Sequence, residues 1–208
     1  VSGISLETDF YTTKWEVPLL SSTYDFFQDV NKSKDKDQLY LSNGDGVIRR
    51  FDKNGIQIGG YIADFQNWFA HFNEVDNYVM VDTYSNLFTR WITVFNKSLG
   101  IEYTRKSITG EVVEIGQVNN SLCFVLIQNG NDFHLAHYDL NTNNLWIDCS
   151  VQNNHCYNAQ KKGNYLYITT NDGLYRFNYN NYQMLPLIVN FPCSQIDLED
   201  ISGDLIIS

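Results

Sequence analysis

Five short runs of β-forming residues recur along the chain: Leu39–Leu41, Tyr78–Val81, Leu122–Val125, Tyr165–Ile168 and Leu205–Ile207. Their starts stand 39, 44, 43 and 40 residues apart. A period near 40 means that one supersecondary unit is used repeatedly, and this constrains the architecture before any local reading does. A hydrogen-bonding side chain precedes each run at a similar phase: Asp29, Glu74, Gln117, Gln160 and Asp200. The next residue is apolar in four repeats (Val30, Val75, Val118, Ile201) and Lys161 in the other. Such a column is expected to tie down the backbone groups of the turn that follows it. That turn is Asp76-Asn77, Asn119-Asn120, Lys162-Gly163-Asn164 or Ser202-Gly203-Asp204, residues that tolerate left-handed backbone. The first repeat substitutes a longer charged loop, Asn31 to Asp37.

After the second strand comes a polar turn: Ser42 to Gly46, Asn129 to Asp132, and Asn171 to Gly173. A third strand then ends in an aromatic residue followed by Asp or Asn: Phe51-Asp52, Phe95-Asn96, Tyr138-Asp139 and Phe177-Asn178. A fourth, outer strand is expected over 56–62, 101–108, 145–151 and 184–189. The segments Asn171-Asp172-Gly173-Leu174-Tyr175-Arg176-Phe177-Asn178 and Asp45-Gly46-Val47-Ile48-Arg49-Arg50-Phe51-Asp52 resemble the DG-x-hydrophobic-x-x-W-D segment of WD40-like propeller blades. The Trp-Asp pair itself is absent, and no Gly-His dipeptide opens a repeat, so the Asp–His–Ser/Thr network of that family does not carry over. The resemblance implies an all-β fold, a β-propeller of four-stranded antiparallel blades, with no subfamily assigned. Helical readings fail because no stretch sustains i, i+3, i+4 apolar spacing with caps.

The fifth repeat stops after its second strand at Ser208, and the first twenty residues contain what it lacks. Gly3 to Phe10 can be laid over Gly173 to Asn180, and Trp15 to Leu20 over Gln183 to Ile188, with Pro-Leu shared in the outer strand. The expectation is a single domain of five blades, at about 24–62, 63–108, 109–151, 152–190, and 191–208 completed by 1–20. Pairing the two ends would seal the ring and protect edges that otherwise invite aggregation. The rival reading is a fragment of a six- to eight-bladed propeller. The chain opens on Val1, so its natural start is expected to have been cleaved or trimmed, and the missing signal peptide leaves the destination open.

A net charge of −10, with scattered bases, argues against a nucleic-acid partner, which needs clustered Lys and Arg. No apolar run approaches the ~18 residues of a membrane-spanning helix. Cys123, Cys149, Cys156 and Cys193 lack C-x-x-C spacing, so no zinc site or other cofactor is expected. Cys149 and Cys156 are read either as a disulfide across adjoining strands or as buried thiols. The sequons at Asn31, Asn96 and Asn119 are what so Asn-rich a composition yields by itself.

No nucleophile elbow, P-loop or dinucleotide fingerprint is present, and no catalytic residue is assigned. His134 and His137, three apart on a strand, are expected to face opposite sides rather than share a metal. Candidate ligand-binding residues come from position: inner strands line a channel whose mouth often binds ligands. Three residues before the polar column these strands carry Phe26, His71, Glu114, Tyr157 and Asp197. Their mixed chemistry suits an irregular protein surface, with a glycan as the alternative partner. Glu114 and Asp197 would be the carboxylate pair of a glycoside-active enzyme, an alternative that five-bladed furanoside-cleaving relatives of the fold suggest. The leading expectation is a non-catalytic module that binds a protein.

Overall fold

The computed structural model describes residues 3–8, 12–18, 27–32, 38–43, 47–62, 68–75, 77–84, 90–97, 102–198 and 205–207. Among these residues every regular element is a β-strand, and every strand pairing is antiparallel. The chain divides into two compact units, residues 1–107 and 108–208. In the first, β1 (Gly3–Thr8) and β2 (Thr12–Pro18) form a hairpin. A four-stranded sheet follows in chain order: β3 (Phe27–Lys32), β4 (Gln38–Asn43), β5 (Val47–Asp52) and β6 (Gln57–Ile62). The next sheet is β7 (Trp68–Val75), β8 (Tyr78–Tyr84), β9 (Arg90–Asn96) and β10 (Glu102–Ile108).

The second unit repeats the pattern. β11 (Glu111–Gln117), β12 (Leu122–Asn129), β13 (Asp132–Asp139) and β14 (Asn144–Val151) make one sheet. β15 (Cys156–Lys162), β16 (Tyr165–Thr170), β17 (Leu174–Asn178) and β18 (Gln183–Val189) make the next, and β19 (Ile196–Leu198) pairs with β20 (Leu205–Ile207). Each expected run is therefore a second strand, and each aromatic–Asx pair ends a third strand.

Within each unit, neighbouring sheets bury their apolar faces against one another. Tyr40 and Ile48 pack with Val79, Val81 and Phe95 in the first unit. In the second, Phe124, Leu126, Phe133 and Leu135 meet Leu166, Ile168 and Phe177. A smaller cluster of Leu174, Cys193 and Ile196 joins β17 to β19. Each such side chain, fully buried, contributes about 1.5–3 kcal/mol. The third-strand exits belong to this buried set: Phe95 and Phe177 sit in these clusters, and Phe51 and Tyr138 are buried as well.

The polar partner of three of the exits, Asp52, Asp139 and Asn178, folds the turn that follows. Asp52 Oδ1 accepts the N–H groups of Asn54 (2.8 Å) and Ile56 (2.9 Å). Asp139 Oδ1 does the same for Asn141 (2.8 Å) and Thr142 (3.2 Å), and Asn178 Oδ1 for Asn180 (2.9 Å). The aromatic therefore anchors the strand in the core while its neighbour caps the turn.

The polar column before the second strand is also present, with its phase corrected by the pairing. Opposite the second residue of each run stand Asn31, Glu74, Gln117, Lys161 and Asp197. Glu74 and Gln117 hold the expected places; Asn31 replaces Asp29, Lys161 replaces Gln160, and Asp197 replaces Asp200. The cause is the variable length of the first hairpin loop, which slides the strand against a fixed run. Asp200 lies outside the described residues. The column does tie down turns: Gln117 Nε2 donates to the Asn119 carbonyl (3.0 Å) and Lys161 Nζ to that of Gly163 (2.8 Å). Glu74 instead binds Lys97, just past the third-strand exit.

Candidate functional site

Three connections meet at one end of the second unit's sheets: the β12–β13 turn, the β14–β15 link and the β16–β17 turn. They interlock through main-chain groups. The Asn154 N–H donates to the Asn131 carbonyl (2.6 Å), the Asn153 N–H to Asp132 Oδ1 (2.9 Å) and the His155 N–H to Asn171 Oδ1 (2.7 Å). The Asn171 N–H returns to the His155 carbonyl (3.0 Å). Beneath them Gln128, nearly buried, donates through Nε2 to the carbonyls of Gly130 (2.9 Å) and Asn154 (3.3 Å), and its Oε1 accepts the Cys156 N–H (2.9 Å). One sheet is thus stapled to the next by a single amide. Asn153 takes the left-handed φ of 54°, a conformation Asn adopts more readily than most residues.

The interlock leaves a pocket of about 150 Å³ lined by Asn131, Asn153, Asn154, His155 and Asn171. Asn154 is 2% exposed. Its Nδ2 donates to Asp172 Oδ2 and to the Tyr175 hydroxyl, each at 3.1 Å, which fixes the amide's orientation. Its Oδ1 is buried and accepts no hydrogen bond from any described residue. Leaving a buried acceptor unpaired costs about 1–3 kcal/mol. Beside the pocket, the rings of His155 and Tyr157 lie 5.1 Å apart, edge to face, and Tyr157 is 42% exposed.

Of the five residues expected at a channel mouth, Tyr157 is the one whose described contacts reach this pocket. It sits in the β-bulge of β15, between the pairs Cys156–Thr170 and Asn158–Thr169. A bulge inserts a residue and re-aims its side chain, which accounts for an exposed tyrosine on an inner strand. His71, half-buried, falls in the corresponding irregularity of β7, between Phe69 and Phe72, and belongs to the first unit. Glu114 follows the bulge of β11, opposite Leu126; at that level of β15 the residue is Asn158, opposite Thr169. Asp197, on β19, pairs with Ile206 of β20. β15 packs against both β11 and β19, so the strands of Glu114 and Asp197 flank it. Phe26 lies outside the described residues.

Sequence reasoning missed Asn154 as a site residue. The run Gln152-Asn153-Asn154-His155 was a visible polar junction between repeats, but which of its amides turns inward depends on the neighbouring turns. It also missed a buried polar chain at the opposite, outer side. His137 is fully buried, its Nδ1 contacts Asp148 Oδ2, and its Nε2 lies 3.1 Å from the Tyr179 hydroxyl. Asp148 Oδ1 also accepts the Trp146 indole N–H at 3.0 Å. Burial lowers the His137 pKa, against the opposing pull of the Asp148 carboxylate, and burial raises that of Tyr179. The neutral ring therefore gives its Nδ1 proton to Asp148 and takes the tyrosine's at Nε2. His134 points the other way, to Ser150 Oγ at 2.6 Å.

The four cysteines are free thiols, so the disulfide alternative gives way; Cys156 is buried, as are Cys123 and Cys193, and Cys149 is half-buried. Desolvation pushes Cys123 and Cys156 up to about 12 and Cys149 to about 11. They stay protonated at neutral pH, and a thiol is a poor nucleophile. Among the described residues no group of three or more His, Cys, Asp and Glu side chains is placed to hold a metal ion. No helix among them is long and apolar enough to cross a membrane.

No protein-family model matches the chain, and no curated protein matches it in sequence. Solved structures do match it. BamB from Moraxella catarrhalis superposes with a TM-score of 0.65 at 13% identity, over 91% of this chain and 59% of its own. The β-propeller domain of Cps50 (Swd1) from Myceliophteria thermophila superposes with a TM-score of 0.67 at 13% identity, over 91% and 63%. The fold is a β-propeller. The likeness extends to the four-stranded blades seen here and, at this identity, to nothing finer than fold. The chain spans about three fifths of the length of these two propeller structures.

Proposed function

We propose that this propeller is a non-catalytic binding module that presents the pocket-bearing end of its blades to a protein partner. The observation that carries the reading is the 150 Å³ pocket, whose lining amides sit on three interlocked turns. A site of that size takes one side chain, and rigid turns preorganise it at little entropic cost on binding. The exposed Tyr157 beside it is the residue type that anchors protein interfaces.

A glycan is the second reading, favoured by the same pairing of amides with an exposed aromatic. The sugar-cleaving alternative is the weaker one: the strands of Glu114 and Asp197 are separated by β15, and the pocket is lined by other residues. Affinity capture with the intact chain, run beside a glycan array, tests the proposal. Specific capture of proteins with a blank array supports it. A strong array signal with no captured protein moves the function to glycans, and two blanks refute both readings.

A further inference from the structure

The pocket's own groups specify the charge of what enters it. Of the lining side chains, Asn154 offers a buried carbonyl oxygen with no donor. Its amide nitrogen is already committed to Asp172, so it cannot turn to present an N–H instead. The formal charges on the framing elements are negative: Asp132 and Asp172 stand on two of the turns that build the pocket, and Glu111 opens the adjacent β11, paired with Gln128.

The bases of this unit sit elsewhere. Residues 108–208 hold three Lys and Arg against ten Asp and Glu. Lys161 and Lys162 close β15 at its far end, and the Arg176 guanidinium lies over the ring of Tyr165, the first residue of β16, at 4.6 Å. No lysine or arginine stands on the three turns that build the pocket. Beside it, His155 and Tyr157 add an exposed aromatic pair, a surface over which a cation is attracted.

We infer that the pocket receives a cationic side chain, lysine or arginine, projected by a protein partner. The inference rests on the proposed protein-binding role of this end of the blades and adds the chemistry of the residue recognised. The exposed lining amides of Asn131, Asn153 and Asn171 supply the carbonyl acceptors for the cation's N–H groups, the carboxylates of Asp132 and Asp172 supply the field, and the aromatic pair covers the aliphatic stem or guanidinium plane. A sugar hydroxyl would pair with those amides equally well, but gains nothing from flanking carboxylates. An acidic side chain is repelled by them.

The test is an NMR titration of the isotopically labelled full chain with four capped tripeptides, Gly-X-Gly with X as Arg, Lys, Gln or Glu, and separately with mannose, galactose and N-acetylglucosamine. The expected result is saturable shifts of the Asn154 and His155 signals with the Arg or Lys peptide. The better of these binds about tenfold tighter than Gln, as charge-assisted hydrogen bonds require. Binding weakens as salt rises from about 0.05 to about 0.5 M, concentrations that span about a threefold change in screening length. The ratio of Arg to Lys affinities then names the side chain. Asp172→Asn keeps an acceptor for Asn154 and removes one charge; it is expected to weaken Arg and Lys severalfold and leave Gln unchanged. Asn131→Ala, at an exposed position, reports on the pocket if the first variant misfolds. Equal affinity for Gln and the cations, or preference for Glu, overturns the inference while leaving a protein-binding pocket. Shifts with a sugar and none with any peptide overturn both. No shift with any ligand overturns the inference and removes the pocket as the docking point.

Discussion

Asp148, His137 and Tyr179 form a chain with one consistent set of protons. The carboxylate accepts from Nδ1, and Nε2 accepts from a tyrosine held protonated by burial. The ring is packed among Trp146, Phe177, Tyr179 and Tyr182, with centroids 5.4 to 6.3 Å away. Because the neutral form is favoured in the fold, the unfolded chain takes up the proton first as pH drops. This contribution to stability is full above about pH 6.5 and is lost as pH falls through the lower folded value. The urea midpoint is therefore expected to fall between pH 7 and pH 5, with at most about 1.4 kcal/mol per pH unit from this one proton. An NMR titration of the His137 ring checks it directly: the midpoint is expected below 6.5, and one at or above 6.5 contradicts the assignment. The sequence showed only that His134 and His137 would diverge. That one of them is buried on a carboxylate depends on Asp148, which comes from the bulged outer strand β14, and on Tyr179, which comes from the next blade.

Strands were the most legible scale, because each blade repeats one order of apolar run, turn and aromatic–Asx exit. The third-strand exits are readable since one residue fills the core and its neighbour closes a turn, two local requirements on adjacent positions. Bulges were not readable. They answer to the twist that inner strands adopt, and nothing in Cys-Tyr-Asn or Glu-Val-Val announces an extra residue. The register slips of the first, fourth and fifth repeats have the same origin in the tertiary structure: the second strand is held by the core, while the loop before it varies in length.

Two glycines separate local strain from crowding at this scale. Gly163 has φ 57° and open space around its missing side chain, whereas Gly173 has φ 141° and would place a Cβ 1.9 Å from the Val189 carbonyl oxygen. Gly163→Ala is expected to cost about 1–2 kcal/mol, the penalty of the left-handed conformation. Gly173→Ala adds displacement of β18 and is expected to cost about 3 kcal/mol or more. Urea denaturation of the two variants checks the order, and equal costs would show that β18 moves aside freely.

For the whole molecule, the sequence announced a propeller through its period, and the solved propeller structures agree. It did not announce the pocket, because Asn131 comes from one repeat and Asn154 and Asn171 from the next, and they become a site only when neighbouring blades interlock. Ring closure belongs to this scale too. We propose that β1 and β2 complete the half-blade of β19 and β20. Deleting residues 1–20 is then expected to lower the urea midpoint and to raise light scattering on concentration, since an opened blade leaves an unpaired edge. An unchanged midpoint and a monodisperse truncated chain would reject that closure.

The central claim is that the pocket-bearing end of the blades docks a protein segment. Its most direct test is selection of a displayed random-peptide library on the intact chain, scored against a variant carrying Asn131→Ala and Asn153→Gly. Glycine keeps the left-handed backbone of residue 153, so the turn survives while the pocket loses two amides. The account expects enriched peptides whose binding falls about tenfold or more on the variant, the loss of roughly 1.4 kcal/mol or more of contact energy. Peptides that bind both proteins equally, or no enrichment over an unrelated control protein, would contradict it.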